Sequence, residues 1–112
     1  MNILIDDHRT HLPDGTVPDI ILRNATAATN FLMHWHFWAE DDALYLDHDM
    51  GPNAYADWAG SGYDVLTWLE EWKQRNPKYE LPGKMIVVSD NPAGRLRMEL
   101  VIGKLYGADA RV

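Results

Sequence analysis

Met85-Ile86-Val87-Val88 is an apolar run with no polar position in it, and it does most to restrict the fold. A strand with one wet face alternates apolar and polar side chains, so an unbroken run implies cover on both faces, as in a parallel sheet. Parallel strands need long crossovers, usually helices. The rest of the chain supplies them. Residues 2 to 6 and 43 to 47 read as further strands. Val17 to Leu22 reads as another, placed at an edge because Pro18 interrupts it. Asn24 or Thr26 caps a helix running to about Phe37, in which Phe31, Trp35 and Trp38 recur at helical spacing beside Leu32. Ser61 and Asp64 form a capping box for a second helix, with Val65, Leu69 and Trp72 on one face and an end near Asn76-Pro77. Asn91-Pro92 opens a third, with Leu96, Leu100 and Leu105 on its apolar side and Gly107 as its stop. This alternation predicts right-handed crossovers and a mostly parallel α/β sheet covered by helices.

The chain has 112 residues, room for one domain over residues 1–112. Five Trp and five Tyr supply large burial per residue. Ten basic against 17 acidic residues leave a net charge of -7, which argues against binding the backbone of duplex DNA. No apolar run reaches membrane-spanning length, and the first residues lack the features of a signal peptide. Cysteine is absent, which removes disulfides and thiolate chemistry. A cytoplasmic setting is the expectation.

Two of the strands run straight into acid. Asp6-Asp7 closes the first, and Asp47-His48-Asp49 closes the third. Ligands of open α/β sheets bind outside the carboxyl ends of the strands. If these two strands are neighbours, their carboxylates share one crevice and repel unless a positive charge sits among them. Hard divalent cations prefer oxygen ligands, so Asp6, Asp7, Asp47 and Asp49 form the candidate set for Mg²⁺ or Mn²⁺. The other reading of such residues is solvated turns. Ser89 ends the Met85–Val88 strand, and the free N–H groups of the helix opening at Asn91 lie beyond it. A helix N-terminus beside a hydroxyl suits an anion. Arg95 and Arg97, in the first turns, are within reach of a phosphate oxygen. Ser89, Asn91 and Arg95 are therefore the candidate phosphate-binding residues.

His48, between two acids, is a candidate metal ligand or general acid–base group. His8 and His11 follow the first acidic pair and are placed at the mouth of the crevice. His34 and His36 stand two apart on a helix, which is poor spacing for joint ligation. The stretch from His48 to Gly60, rich in Gly, Pro, Asn and Asp, reads as a mobile binding loop.

Four segments taken in order resemble a known family. They are Ile3-Leu4-Ile5-Asp6-Asp7, Leu46-Asp47-His48-Asp49-Met50-Gly51, Ser61-Gly62-Tyr63-Asp64-Val65-Leu66 and Val88-Ser89-Asp90-Asn91-Pro92-Ala93-Gly94-Arg95. Their order resembles the cyclic-phosphate processing receiver domain, a small relative of two-component receivers in bacteria and phages. The resemblance implies a receiver-like, truncated flavodoxin-like fold, an open sheet of about four strands flanked by helices. It implies that Asp6 and Asp7 match the receiver acidic pair, Asp47 the phosphoacceptor position, and Ser89 the hydroxyl that meets the phosphoryl group. Three departures stand beside it. A Pro/Gly loop replaces the first receiver helix, Lys104 alone follows Ser89 where receivers place a phosphoryl-contacting Lys, and Val88 stands where closer relatives often have His.

The expectation is thus a metal-dependent, phosphate-binding receiver-like domain acting on a phosphoester, such as a cyclic nucleotide or a cyclic-phosphate RNA end. Asp47, His48 and Ser89 are its candidate catalytic residues. Two alternatives stay open. One is a non-catalytic acidic module that binds a partner protein in the bacterial or phage-host cytoplasm, and the other is a phosphoacceptor switch at Asp47.

Overall fold

The computed structural model describes residues 1–35, 38–47, 62–89 and 92–110, with only the backbone of residues 108–110. Seven elements follow one another: β1 (Asn2–Ile5), β2 (Ile20–Leu22), α1 (Ala25–His34), β3 (Ala43–Leu46), α2 (Gly62–Arg75), β4 (Lys84–Val87) and α3 (Pro92–Ala110). The strands form one sheet in the order β2-β1-β3-β4, every pair parallel.

That order determines which face each connection covers. The chain steps one way from β1 to β2, then reverses for β2 to β3 and β3 to β4. Right-handed crossovers then place α1 and α2 on one face and the β1–β2 connection on the other. The packing agrees: α1 lies against α2, and α2 against α3. Ile3, Leu44 and Met85 are in register across the sheet, as are Ile5, Leu46 and Val87, and all six belong to the core under the helices. From the helix side, Ala28 and Leu32 of α1 and Val65, Leu66 and Leu69 of α2 are fully buried. Each such large aliphatic side chain contributes about 1.5–3 kcal/mol of transfer free energy. Truncating Leu69 to Ala would cost about 2–5 kcal/mol, because a cavity remains.

On the opposite face a loop stands where a doubly wound fold has a helix. Asp14 and Gly15 turn it: Asp14 accepts from the Thr16 backbone N–H and hydroxyl, and Gly15 has a φ of 89°, the left-handed region that glycine tolerates. Leu12 is buried at its centre.

Local chemistry accounts for the element ends, and several differ from the sequence expectation. Strand β2 begins at Ile20 rather than Val17, because Pro18 has no N–H to donate and the Asp19 carboxylate takes the Asn2 N–H at 2.6 Å. It does lie at an edge. Asn24 caps α1 through its side chain, accepting from Ala27 N–H. The helix stops at His34, short of Phe37, with Trp35 extended (φ −98°, ψ 121°). Consecutive aromatic side chains lose rotamer freedom against a preceding helical turn, and here they pack on one another instead. Phe31 stacks on Trp35 at 5.6 Å between ring centroids and meets Trp38 edge-on at 6.4 Å.

Strand β4 is the other edge, and only Met85 and Val87 enter the core; Ile86 and Val88 are half-buried on the loop face. In α3 the expected apolar side is wrong for two residues. Leu96 and Leu100 are each 61% exposed, whereas Gly94, Met98, Val101 and Leu105 face inward. Leu96 and Leu105 are nine residues apart, two and a half turns, so one helix face cannot hold both. Nor does Gly107 stop the helix: it lacks the positive φ of a C-cap glycine, and α3 continues to Ala110. Ser61, the expected cap of α2, lies outside the described residues. Among those described, no helix is long and apolar enough to cross a membrane.

Candidate functional site

The reversal of strand order falls between β1 and β3, and the crevice at such a switch point is where open α/β sheets bind ligands. Register carries both acidic strand ends there. Ile5 pairs with Leu46 and Leu46 with Val87, so Asp6, Asp47 and Val88 follow side by side. Backbone bonds continue the ladder past the strands: Asp6 N–H donates to Leu22, Asp47 N–H to Ile5 and Val88 N–H to Leu46, all at 2.9–3.0 Å. Period-two alternation points the side chains of Asp6 and Asp47 away from the helices, towards the loop. Gly62 brings the start of α2 against this edge, since any Cβ there would overlap the Asp47 carbonyl oxygen and the end of the Met98 side chain.

Asp6 is fully buried and its oxygens are occupied on both sides. One accepts from the backbone N–H groups of His8 and Arg9 at 3.0 and 3.1 Å, and the other accepts from the Arg9 guanidinium at 2.9 Å. Burial pushes the Asp6 carboxyl pKa up, but the His8 and Arg9 backbone donors and the Arg9 side chain outweigh it and hold it below the ordinary value. The same Arg9 nitrogen lies 3.5 Å from the carboxylate of Asp47, which is itself 5% exposed. The positive charge that the paired acidic strand ends demand is thus supplied from inside the chain. Arg23 fixes the loop backbone beneath it, donating to the carbonyls of Arg9 and Asp6 at 2.8 and 3.3 Å.

Asp7 faces outward and pairs with His8, whose Nδ1 lies 2.8 Å from it and 3.4 Å from Asp6. That hydrogen bond to Asp7, with the charges of Asp6 and Asp7, raises the His8 pKa. Ligand atoms of Asp6, Asp7 and His8 all fall within 4.8 Å of one another. Two carboxylates plus an imidazole suit a divalent cation, and their oxygens suit Mg²⁺ or Mn²⁺. Asp47 joins this group through Arg9. Beside it opens a cavity of about 440 Å³, lined by Arg9, His11, Ser89 and Arg95 and by apolar side chains including Leu12 and Val88. Ser89 is 4% exposed. Arg95 reaches the cavity from the first turn of α3 while contacting Glu99 at 3.4 Å.

Of the residues singled out in the sequence, Asp6, Asp7, Asp47, Ser89 and Arg95 meet at this one edge, with His8 at the acids and His11 in the cavity. His34 stands apart, its Nδ1 2.8 Å from the Asn30 carbonyl on α1. His48, Asp49 and Asn91, and the 48–60 loop, lie outside the described residues. Arg9 is the residue the sequence reading passed over. The signal was present, a cation three residues after an acid at a strand end, but it sat in the Pro/Gly loop, of which only His8 and His11 were placed near the crevice.

A model of the cyclic-phosphate processing receiver domain matches residues 1–104. No curated protein and no solved structure gives a significant match.

Proposed function

The chain belongs to the cyclic-phosphate processing receiver domain family, and from that premise we propose that its carboxyl-edge crevice binds and hydrolyses a phosphoester, with a cyclic phosphate as the substrate class. One observation carries the reading: a buried hydroxyl and two arginines line a single cavity, and one of those arginines, Arg9, also contacts the buried acids Asp6 and Asp47. Asp6, Asp7 and Asp47 hold Mg²⁺ or Mn²⁺. Such an ion polarises a phosphoryl oxygen and lowers the pKa of water. Ser89 and Arg95 receive the phosphoryl oxygens, with the start of α3 at Pro92 behind them, and Arg9 faces them from the acidic side. Apolar Leu12 and Val88 exclude water around the scissile bond, which strengthens each charge contact. His48, next to Asp47 in sequence, is the candidate proton donor or acceptor. A cytoplasmic setting fits a chain without cysteine.

The test is a panel of 2′,3′-cyclic nucleotides and cyclic-phosphate RNA ends, assayed with Mg²⁺, with Mn²⁺ and with chelator. Asp47→Ala abolishes turnover. His48→Ala lowers it by about two to four orders of magnitude if that side chain transfers the proton. Ser89→Ala costs less, because backbone N–H groups still bind the oxyanion. A panel with no metal-dependent hydrolysis rejects the enzyme reading.

A second reading has its own observation. Leu96 and Leu100, one turn apart on α3, are exposed. An interaction module would use that face, and its partner binding would survive combined loss of Asp6, Asp7 and Asp47.

A further inference from the structure

Arg9 belongs to two environments at once. One edge of its guanidinium contacts Asp6 at 2.9 Å and Asp47 at 3.5 Å, and the side chain also lines the cavity with Ser89 and Arg95. We infer that Arg9 is a displaceable counter-ion: a divalent cation taken up by Asp6 and Asp47 competes for the same oxygens, and the released guanidinium becomes a ligand of the phosphate in the cavity.

The anchoring of the loop makes this exchange feasible. Asp6 keeps its orientation without the guanidinium, because one of its oxygens is held by the His8 and Arg9 backbone N–H groups. The Arg9 backbone is held separately through its carbonyl by Arg23 at 2.8 Å. Only the Arg9 side chain, 28% exposed, has to move. The charges favour it as well. Asp6, Asp7 and Asp47 carry three negative charges against the two guanidinium groups of Arg9 and Arg23, so with His8 neutral these side chains stay net negative and attract a divalent ion even before Arg9 leaves. Once displaced, a planar guanidinium suits the oxygens of a phosphate. Metal and phosphate should then bind cooperatively, each tightening the other by the same factor.

The inference rests on the metal-assisted reading of the site, and the experiment separates the two. Mn²⁺ binding is measured by calorimetry on wild type and Arg9→Gln, with and without inorganic phosphate. The expected result is Mn²⁺ affinity about tenfold higher in Arg9→Gln, because the competitor is gone, and a metal–phosphate coupling about tenfold weaker. Binding to the variant alone overturns the inference, because an Arg9 that shuts the ion out completely is not displaced by it. Wild type that binds Mn²⁺ no more weakly than Arg9→Gln overturns the inference and leaves the metal reading standing. Absence of binding in both proteins overturns both. A second readout needs no substitution: the Arg9 Nε–H resonance of wild type should shift with the Mg²⁺ titration and again on adding phosphate. An Arg9 signal unmoved at saturating Mg²⁺ overturns the inference.

Discussion

Asp6 offers the sharpest quantitative test, because two substitutions separate its hydrogen bonds from its charge. In Asp6→Ala the His8 and Arg9 backbone N–H groups and the Arg9 guanidinium all lose their acceptor at a fully buried position. Two backbone donors at about 1 kcal/mol each and one charged donor at about 1.5–3 kcal/mol give a loss near 3–5 kcal/mol. Asp6→Asn keeps the oxygen that serves the two N–H groups but replaces the acceptor of Arg9 by an amide donor, so it loses that charged bond and should cost about 1.5–3 kcal/mol. The assay is urea unfolding at pH 7 in chelator. With a slope of about 1–3 kcal/mol/M, Asp6→Ala should lower the midpoint by about 2 M and Asp6→Asn by about half of that. Equal losses in the two variants, or an Asp6→Ala protein within about 1 kcal/mol of wild type, would refute the assignment of those three bonds. Acid gives a parallel check. The folded-state pKa of Asp6 is depressed, so its contribution is present above the ordinary carboxylate range and disappears as pH falls through the lower folded value. Asp6→Asn should flatten that part of the stability–pH curve.

The proposed metal site should announce itself in thermal melts, since a cation that binds only the folded state stabilises it by mass action. Millimolar Mg²⁺ or Mn²⁺ raises the melting temperature and Asp7→Asn blunts the rise; no response in wild type counts against the site. Arg9 holds Asp47 at 3.5 Å, more weakly than it holds Asp6 at 2.9 Å, so at Asp47 the repulsion between the two acids outweighs the pairing and Asp47→Asn should stabilise the metal-free fold by about 1 kcal/mol; destabilisation would mean that its acceptor bonds matter more than its charge. His8 should titrate by NMR above the ordinary histidine value, with its pairing to Asp7 present below that value and lost as pH rises through the raised one. Asp7→Asn should bring the titration back down, and a His8 midpoint indifferent to Asp7 rejects the pairing.

The sheet was readable from residues 2–6, 43–47 and 85–88, because apolar runs bounded by turns carry their own signal. The acids and hydroxyl at the strand ends, Asp6, Asp47 and Ser89, pointed to the sheet edge at which the structure brings them together. What stayed hidden depended on tertiary placement. Met85–Val88 looked covered on both faces, yet β4 ends the sheet and Ile86 and Val88 face a cavity, because a loop occupies the place of a helix. Leucine alone does not mark the inward side of α3: Leu96 and Leu100 are exposed, and the inward face follows the spacing of Gly94, Met98, Val101 and Leu105. The need for a cation among the acids was legible, but not that Arg9 meets it, since nothing local says that a loop arginine folds back over two strand ends.

The most direct measurement is a crystal structure of the protein with Mg²⁺ and a phosphate analogue bound together. The account predicts an ion about 2.0–2.1 Å from carboxylate oxygens of the Asp6, Asp7 and Asp47 group, with the analogue between Ser89, Arg95 and a displaced Arg9. An analogue bound away from this edge, or bound here with Arg9 still on Asp6 and Asp47 and no ion among the acids, would contradict it.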